Sequence, residues 1–560
     1  MTTSIAFVGA GPTMIYTLHA LLEQEPGPFR LTIFEKQGSV GRGTPYRPGW
    51  NDPAMLSNIA SIEIPPLEET LFDWLSRQPD ERLANLQIAR GEINERSFYP
   101  RVALGEYFCD QLEAMIARAE RAGIDVTVRT HCAVVDAVGG SDGMTLIAQS
   151  GRGAAFEEQF DHVVLATGHQ WPEEPEVRPG YFLSPWPATA LAQVPPCKIG
   201  IRGSSLSAID AAVALAVTHG TFVEDDAGDV AYCPSPGTDD FHMTMLSRKG
   251  LLPEADFYFP IPYAPLSFCT AEAIEALVAD QRPDLLDRAF GLFKRELEVA
   301  DPDYADKIEL HKLDMEAFCD SYFADRIATD PFMWAKANLE QAQRDYARRY
   351  TVPWRYAILR MHEVIQELVP HLNDEEFRRF SRHFKPIFVD DYATVPHVSI
   401  KRMLALHAAG KLSVMAVGEG YRIDSHRPES GAVLDLGSEQ THFPVFIEAM
   451  GQRALSTKDF PFASLRDQGI VRDVAPDDAP GPTRGIVIDD QFHPVSPDIP
   501  TDQLFCLSLP FLMGRHPFIQ GITSAHEMGL VVGEELAKAI RRNGVEFYAL
   551  PSATEGRSAW

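Results

Sequence analysis

The chain has 560 residues, 45% of them hydrophobic and 23% charged, which fits a globular protein of several domains at about 150 residues each and excludes a disordered segment or a membrane channel. Its 50 Lys and Arg against 79 Asp and Glu leave a net charge of −29, so phosphate backbones and anionic lipid are repelled and neither nucleic acid nor membrane is an expected partner. The 7 Cys contain no C-x-x-C pair; this disfavours a disulfide framework, a zinc ribbon and an iron–sulfur cluster, predicts no metal, and fits a reducing, cytoplasmic setting.

From the N-terminus, Ile5 to Val8 is an apolar strand that runs into Gly9-Ala10-Gly11-Pro12-Thr13-Met14, and helical spacing follows from Ile15 to Leu22. No basic residue precedes this stretch and glycines interrupt it, so it reads as a buried strand and turn rather than a leader. Gly9 and Gly11, with Pro12, supply a tight turn and close backbone approach to a pyrophosphate at the positive end of a helix. Met14 stands where a third small residue usually allows close packing. Leu31 to Phe34 predicts the second strand, and Glu35 at its end is placed to accept from the ribose hydroxyls of an adenosine. His162 to Leu165 predicts a further strand, ending at Ala166-Thr167-Gly168, where two-dinucleotide flavoproteins leave their first domain; Trp171 to Pro196 reads as linker. Residues 1–195 are therefore expected to form the first part of an FAD-binding domain.

A second strand, turn and helix follows: Lys198 to Arg202, then Gly203-Ser204-Ser205-Leu206-Ser207-Ala208, then Ile209 to Leu215. Ser205 replaces the second glycine. The next strand, Met243 to Leu246, ends in Ser247-Arg248-Lys249, and a hydroxyl with two cations suits the 2′-phosphate of NADPH where Glu35 would repel it. Residues 196–270 are expected to begin an NADPH-binding domain. Residues 271–383 show helical periodicity and predict an insertion or lid, whose Arg348, Arg349, Arg355 and Arg360 read either as a solvated face or as a steering surface for a dicarboxylate. Residues 384–440 are expected to return through the NADPH-binding domain and 441–560 to complete the FAD-binding domain. Near the end, Gly521-Ile522-Thr523 opens a capped helix whose N-terminus suits the electron-rich edge of a reduced flavin. Arg515 and His516 just before it, Arg453 after Met450-Gly451, and Asn58 in the Leu56 to Ser61 loop are the candidate catalytic or substrate-binding residues. The fold class expected is α/β, with two Rossmann-like dinucleotide-binding domains and a largely helical insertion.

Several segments carry a resemblance together: Val8 to Pro12; Gly41-Arg42-Gly43-Thr44-Pro45-Tyr46-Arg47-Pro48; Leu56 to Ser61 with Pro65-Pro66; Phe98 to Arg101 with Gly105-Glu106-Tyr107; and Gly521 to His526. The set resembles the FAD/NAD(P)-binding family that contains flavin-dependent N-hydroxylating monooxygenases, and within it the aspartate N-monooxygenases that make nitrosuccinate in natural-product biosynthesis. The resemblance implies FAD and NADPH as cofactors, O2 and a small amino acid or amine as reactants, oxygenation through a C4a-hydroperoxyflavin, and L-aspartate oxidised stepwise towards nitrosuccinate. Oxygenation of sulfur or carbon, NADPH oxidase activity, and a flavin-binding redox sensor without turnover stay open beside it, as does a homo-oligomer. The lack of a cysteine pair disfavours a dithiol reductase.

Overall fold

The structure, a computed structural model, describes residues 2–172, 174–427, 429–474, 483–519 and 521–548, the last six of these in backbone only. Ser4–Val8 is buried at every position because it is the middle strand of a five-stranded parallel sheet. Arg30–Phe34 and then Asp125–Arg129 lie on one side of it, His162–Leu165 and then Leu504–Cys506 on the other. A parallel strand covered on both faces has to be apolar throughout, which is why the central run does not alternate, whereas the edge strand Asp125–Arg129 does. The helix Pro12–Glu23 lies against the C-terminal helix Ile522–Tyr548. Gly529 and Gly533, one turn apart, make that contact: a Cβ at either would stand 2.8 Å from Tyr16 C or 2.7 Å from Ala20 Cβ. Met14 is fully buried at the cradle helix's first turn.

The second sheet runs in the order Leu412–Ala416, His242–Ser247, Lys198–Arg202, Val445–Glu448, Tyr181–Phe182, Glu176–Arg178, parallel except for the last pair. This moves two of the expected boundaries. Val445–Glu448, expected from 441 onward in the FAD-binding domain, pairs with Lys198–Arg202 instead, and Tyr181–Phe182, expected within 1–195, joins the same sheet. Both are short apolar runs that either sheet would bury, and the choice is made by non-local pairing.

Between the sheet's strands lies the helical insertion, from Ala271–Ala279 to Lys385–Tyr392. It continues past 383 because Phe384 and Phe388 belong to its core: Phe293 meets Phe318, Phe384 and Phe388 at 5.3, 5.1 and 5.8 Å between ring centroids. Arg344, Arg348 and Arg349 face solvent, whereas Arg355 is buried, with Nη1 2.7 Å from Glu254 and Nε 3.3 Å from Asp391. Arg360 donates to the carbonyls of Ala264 and Pro265 at 3.0 and 2.8 Å. Those two arginines therefore fasten the insertion to the segment that leads into it. Among the described residues no helix is long and apolar enough to cross a membrane.

Candidate functional site

The two cradles share one hydrogen-bond pattern. Gly9 N–H donates to Phe34 O at 2.9 Å and Gly203 N–H to Leu246 O at 2.8 Å; Ala166 N–H donates to Val8 O at 2.9 Å and Ala449 N–H to Arg202 O at 2.8 Å. Gly9 (φ +102°) and Gly203 (φ +128°) both need glycine, for a Cβ on either would stand 2.4 Å from a carbonyl oxygen, that of Ala166 or of Ala449. Gly11 and Ser205 are the matching N-caps, at φ −93° and −107°. That is extended backbone open to any residue, which is why a serine leaves the second turn intact.

In front of the first cradle, at the carboxyl ends of Ser4–Val8 and His162–Leu165, lies a cavity of about 600 Å³. This is the switch point of the sheet, where α/β folds bind ligands. Its wall includes Gly9, Gly11 and Pro12, then Glu35, Cys132 and Val134, then Trp50, His169 and Trp171, together with Gly168, Gly521 and Ile522. Glu35 accepts from Ala10 N–H at 3.2 Å and Gln37 N–H at 2.8 Å. Lys36, Arg42 and Arg47 also line the cavity, so a chain of net charge −29 keeps a locally cationic wall here. Arg42 pairs with Glu106 at 2.5 Å, yet its Nε is buried without a hydrogen-bond partner. Arg47 lies 5.1 Å over Trp50. Three cations, an orphaned guanidinium N–H and backbone N–H groups at a helix start fit the pyrophosphate of a dinucleotide. Burial pushes His169 down to about 4, with Arg101 acting in the same direction, so its ring is neutral.

A family described as FAD-NAD(P)-binding matches residues 6–170, and one described as YdhS-like middle domain matches residues 270–392. The chain is 41% identical over 537 residues to the uncharacterized protein YdhS of Escherichia coli (strain K12), covering 96% of this chain and 97% of the relative. The chain belongs to the YdhS family. Among solved structures, the YdhS-family chain is similar to the reduced ornithine hydroxylase PvdA of Pseudomonas aeruginosa (TM-score 0.48, 14% identity, 96% of this chain and 99% of that one). It is also similar to the ornithine N-hydroxylase of Kutzneria sp. 744 (0.46, 13%, 97% and 100%) and to the bacillithiol disulfide reductase of Bacillus cereus (0.41, 11%, 96% and 100%). Likenesses at this level carry no conclusion about chemistry.

In this member of the YdhS family Gly9, Gly11, Gly168, Gly521, Pro12, Glu35 and Ile522 all line the flavin-sized cavity, but the four candidate catalytic residues do not. The helix begins at Ile522, and the turn before it folds away: Gly514 is so close to Arg484 that a Cβ would stand 2.1 Å from its carbonyl carbon. Arg515 therefore donates to Ile488 O at 3.0 Å and pairs with Asp490. Burial and the neighbouring Arg515 push His516 down to about 4, beside Phe492. Arg453 is exposed, and Asn58 lines a separate crevice of about 20 Å³ with Arg101 and Asp210. Thr523 is not in the cavity wall either.

In the second cradle, Ser204 donates to Leu251 O at 2.5 Å, Ser207 Oγ lies 3.8 Å from the Cβ position of Gly451, and Ser247 Oγ accepts from Gly250 N–H at 3.1 Å. Lys249, expected beside Arg248 on a phosphate, instead sets its ammonium 3.3 Å over Phe323 of the insertion. Sequence reasoning passed over Arg42, Arg47, Trp50, His169 and Trp171 as site residues, although Arg42 and Arg47 lie inside the Gly41 to Pro48 segment. Arg515→Met is accordingly expected to bind FAD with unchanged affinity in a fluorescence titration while losing about 1 kcal/mol of stability from its tie to the Ile488 to Asp490 loop.

Proposed function

We propose that this chain is a flavin-dependent monooxygenase, holding FAD in the cavity of about 600 Å³, taking electrons from a nicotinamide coenzyme at the Gly203 cradle, and hydroxylating the nitrogen of a small amine. The observation that carries the reading is the repeated cradle: one chain holds two glycine turns with the same hydrogen bonds, each at the carboxyl end of a strand with parallel neighbours on both sides. Arg101, at the start of the helix Arg101–Arg121 that packs on the first cradle's helix, pairs at 2.6 Å with Asp210 of the second cradle's helix, both side chains nearly buried, which ties the second cradle to the domain of the first.

FAD supplies, when bound, the passage of electrons from the coenzyme to dioxygen. The chain's own residues do the rest. Gly9 to Pro12 and Arg42 hold the pyrophosphate, Glu35 accepts from the ribose, and the start of the Ile522–Tyr548 helix sets its positive end against the cavity. Trp50, Trp171 and neutral His169 give the wall large aromatic surfaces that would exclude water beside them. Cys132 is the one thiol in the described cavity wall and lies beside Glu35, its N–H donating to Glu35 O at 2.9 Å; a single thiol speaks against dithiol exchange. Neither Arg515 nor Arg453, the expected carboxylate anchors, lines the cavity, so they lend L-aspartate and nitrosuccinate no support, and the substrate is read as a small amine.

The test is anaerobic reduction of the FAD-loaded chain by NADPH, then admission of air with a panel of small amines scored for hydroxylamine by mass spectrometry. Oxygenated product above the no-amine control is expected. A chain that retains no FAD, or one that returns peroxide alone with every amine, overturns the reading.

A further inference from the structure

The adenosine end of the second cradle differs from the first in a way that bears on coenzyme choice. The shared hydrogen-bond pattern places Ser247 where Glu35 stands in the first sheet, since each follows the residue whose carbonyl accepts from the cradle glycine. Ser247 closes its own turn onto Gly250 N–H at 3.1 Å and brings no carboxylate. The neighbouring strand brings one. Leaving Leu412–Ala416, the chain runs beside Ser247 and Arg248, with Val417 N–H donating to Ser247 O at 3.0 Å and Gly418 N–H to Arg248 O at 3.1 Å. Gly418 and Gly420, at φ +65° and +81°, turn this loop and leave Glu419 Oε1 3.6 Å from Arg248 Nη1. The side chains are 62% and 70% exposed, so the pair is weak and opens readily. Lys249 is held over Phe323, which leaves Arg248 as the cation of the Ser247 to Lys249 run at this end.

We propose that Arg248 and Glu419 form a two-way coenzyme reader: Arg248 takes the 2′-phosphate of NADPH, and Glu419 accepts hydrogen bonds from the ribose hydroxyls of NADH. The second cradle then takes both coenzymes, and Glu419 is the residue that limits the preference for NADPH. This rests on the second sheet being the nicotinamide-nucleotide domain. A bound 2′-phosphate displaces the Glu419 carboxylate from Arg248 and leaves two like charges side by side. NADH meets no such repulsion and finds an acceptor. The device differs from the usual acidic residue at the end of the second strand, because the carboxylate is delivered across the sheet from the third.

The experiment is calorimetric titration of the FAD-loaded full chain with NADP⁺ and NAD⁺, so the readout is affinity without turnover. Glu419→Gln is expected to tighten NADP⁺ and weaken NAD⁺, raising the ratio of affinities about fivefold or more, the scale of one exposed charge contact. Arg248→Met is expected to weaken NADP⁺ about tenfold and leave NAD⁺ within about twofold. Both side chains are exposed, so the variants fold as the parent does, checked by their melting temperatures. If wild type and Glu419→Gln bind both coenzymes with the same ratio, the reader is wrong while the coenzyme site stands. If wild type binds neither, the coenzyme site itself is gone and the reader with it.

Discussion

Gly9→Ala is expected to yield a chain that stays colourless when supplied with FAD. The cause is geometric. Gly9 holds φ +102°, where an L side chain is strained, and its Cβ would stand 2.4 Å from Ala166 O and 3.0 Å from Ala166 C. Those are backbone atoms of a buried strand exit and cannot swing aside. Strain at positive φ and overpacking together place the cost at about 2–5 kcal/mol, and the sheet can relieve it only by opening the turn that brings N–H groups to the pyrophosphate. Gly11→Ala is the control, because Gly11 is extended and its Cβ would meet Gly43 Cα at 3.2 Å, a contact that a shift of a few tenths of an ångström in the Gly41 to Gly43 loop relieves. Because Gly11 also lines the cavity, this variant is expected to bind FAD more weakly than the parent but to retain flavin where Gly9→Ala does not. Gly203→Ala repeats the Gly9 clash against Ala449 O and is expected to stay yellow while losing reduction by the coenzyme. Visible absorbance after reconstitution, with melting curves, reads all three. A Gly9→Ala protein with the parent's affinity for FAD overturns the first cradle.

Both cradles were legible in the sequence because everything that makes them is local: an apolar strand, a glycine that must take positive φ, and a helix start. Ser205 in place of glycine did not hide the second, since that position is extended and asks nothing special of its residue. What the sequence left hidden depends on pairing across long separations. Nothing in Val445–Glu448 tells which sheet it joins; only its partner Lys198–Arg202 does. Arg515 precedes the cavity helix by a few residues yet points to Ile488, because the turn at Gly514 is pressed onto Arg484. Lys249 was readable as a cation beside a strand end, but its direction is set by Phe323 from the insertion. Arg42 and Arg47 were obscured by arithmetic: a net charge of −29 averages over the whole surface and says nothing of one cationic wall inside a cavity.

The insertion's attachment makes the largest stability prediction. Arg355, buried between Glu254 at 2.7 Å and Asp391 at 3.3 Å, shares its site with Arg326, which pairs with Asp390 at 2.5 Å and donates to Leu252 O at 2.7 Å. Arg355→Met is expected to cost about 3 kcal/mol, the lower end of the scale for breaking a buried pair, since Glu254 then keeps only Arg326 at 3.7 Å and the Trp334 N–H at 2.9 Å. Asp391 behaves oppositely. It is fully buried, its Oδ2 has no hydrogen-bond partner, and burial pushes its carboxyl from 3.8 up to about 8 against the pull of Arg355. It is therefore largely protonated at neutral pH, leaving two arginines balanced by Glu254 and Asp390. Because the folded value lies above the unfolded one, the folded chain holds the proton more tightly, and this group's contribution to stability falls as pH rises from about 4 until it is lost through about 8. Asp391→Asn keeps the neutral shape and removes that slope. Its advantage over the parent in denaturant titrations is expected to grow by about 1–3 kcal/mol between pH 6 and pH 9. Parallel stability curves for parent and Asp391→Asn across this range mean that Asp391 is ionised in the folded chain, and the charge balance drawn here is then wrong.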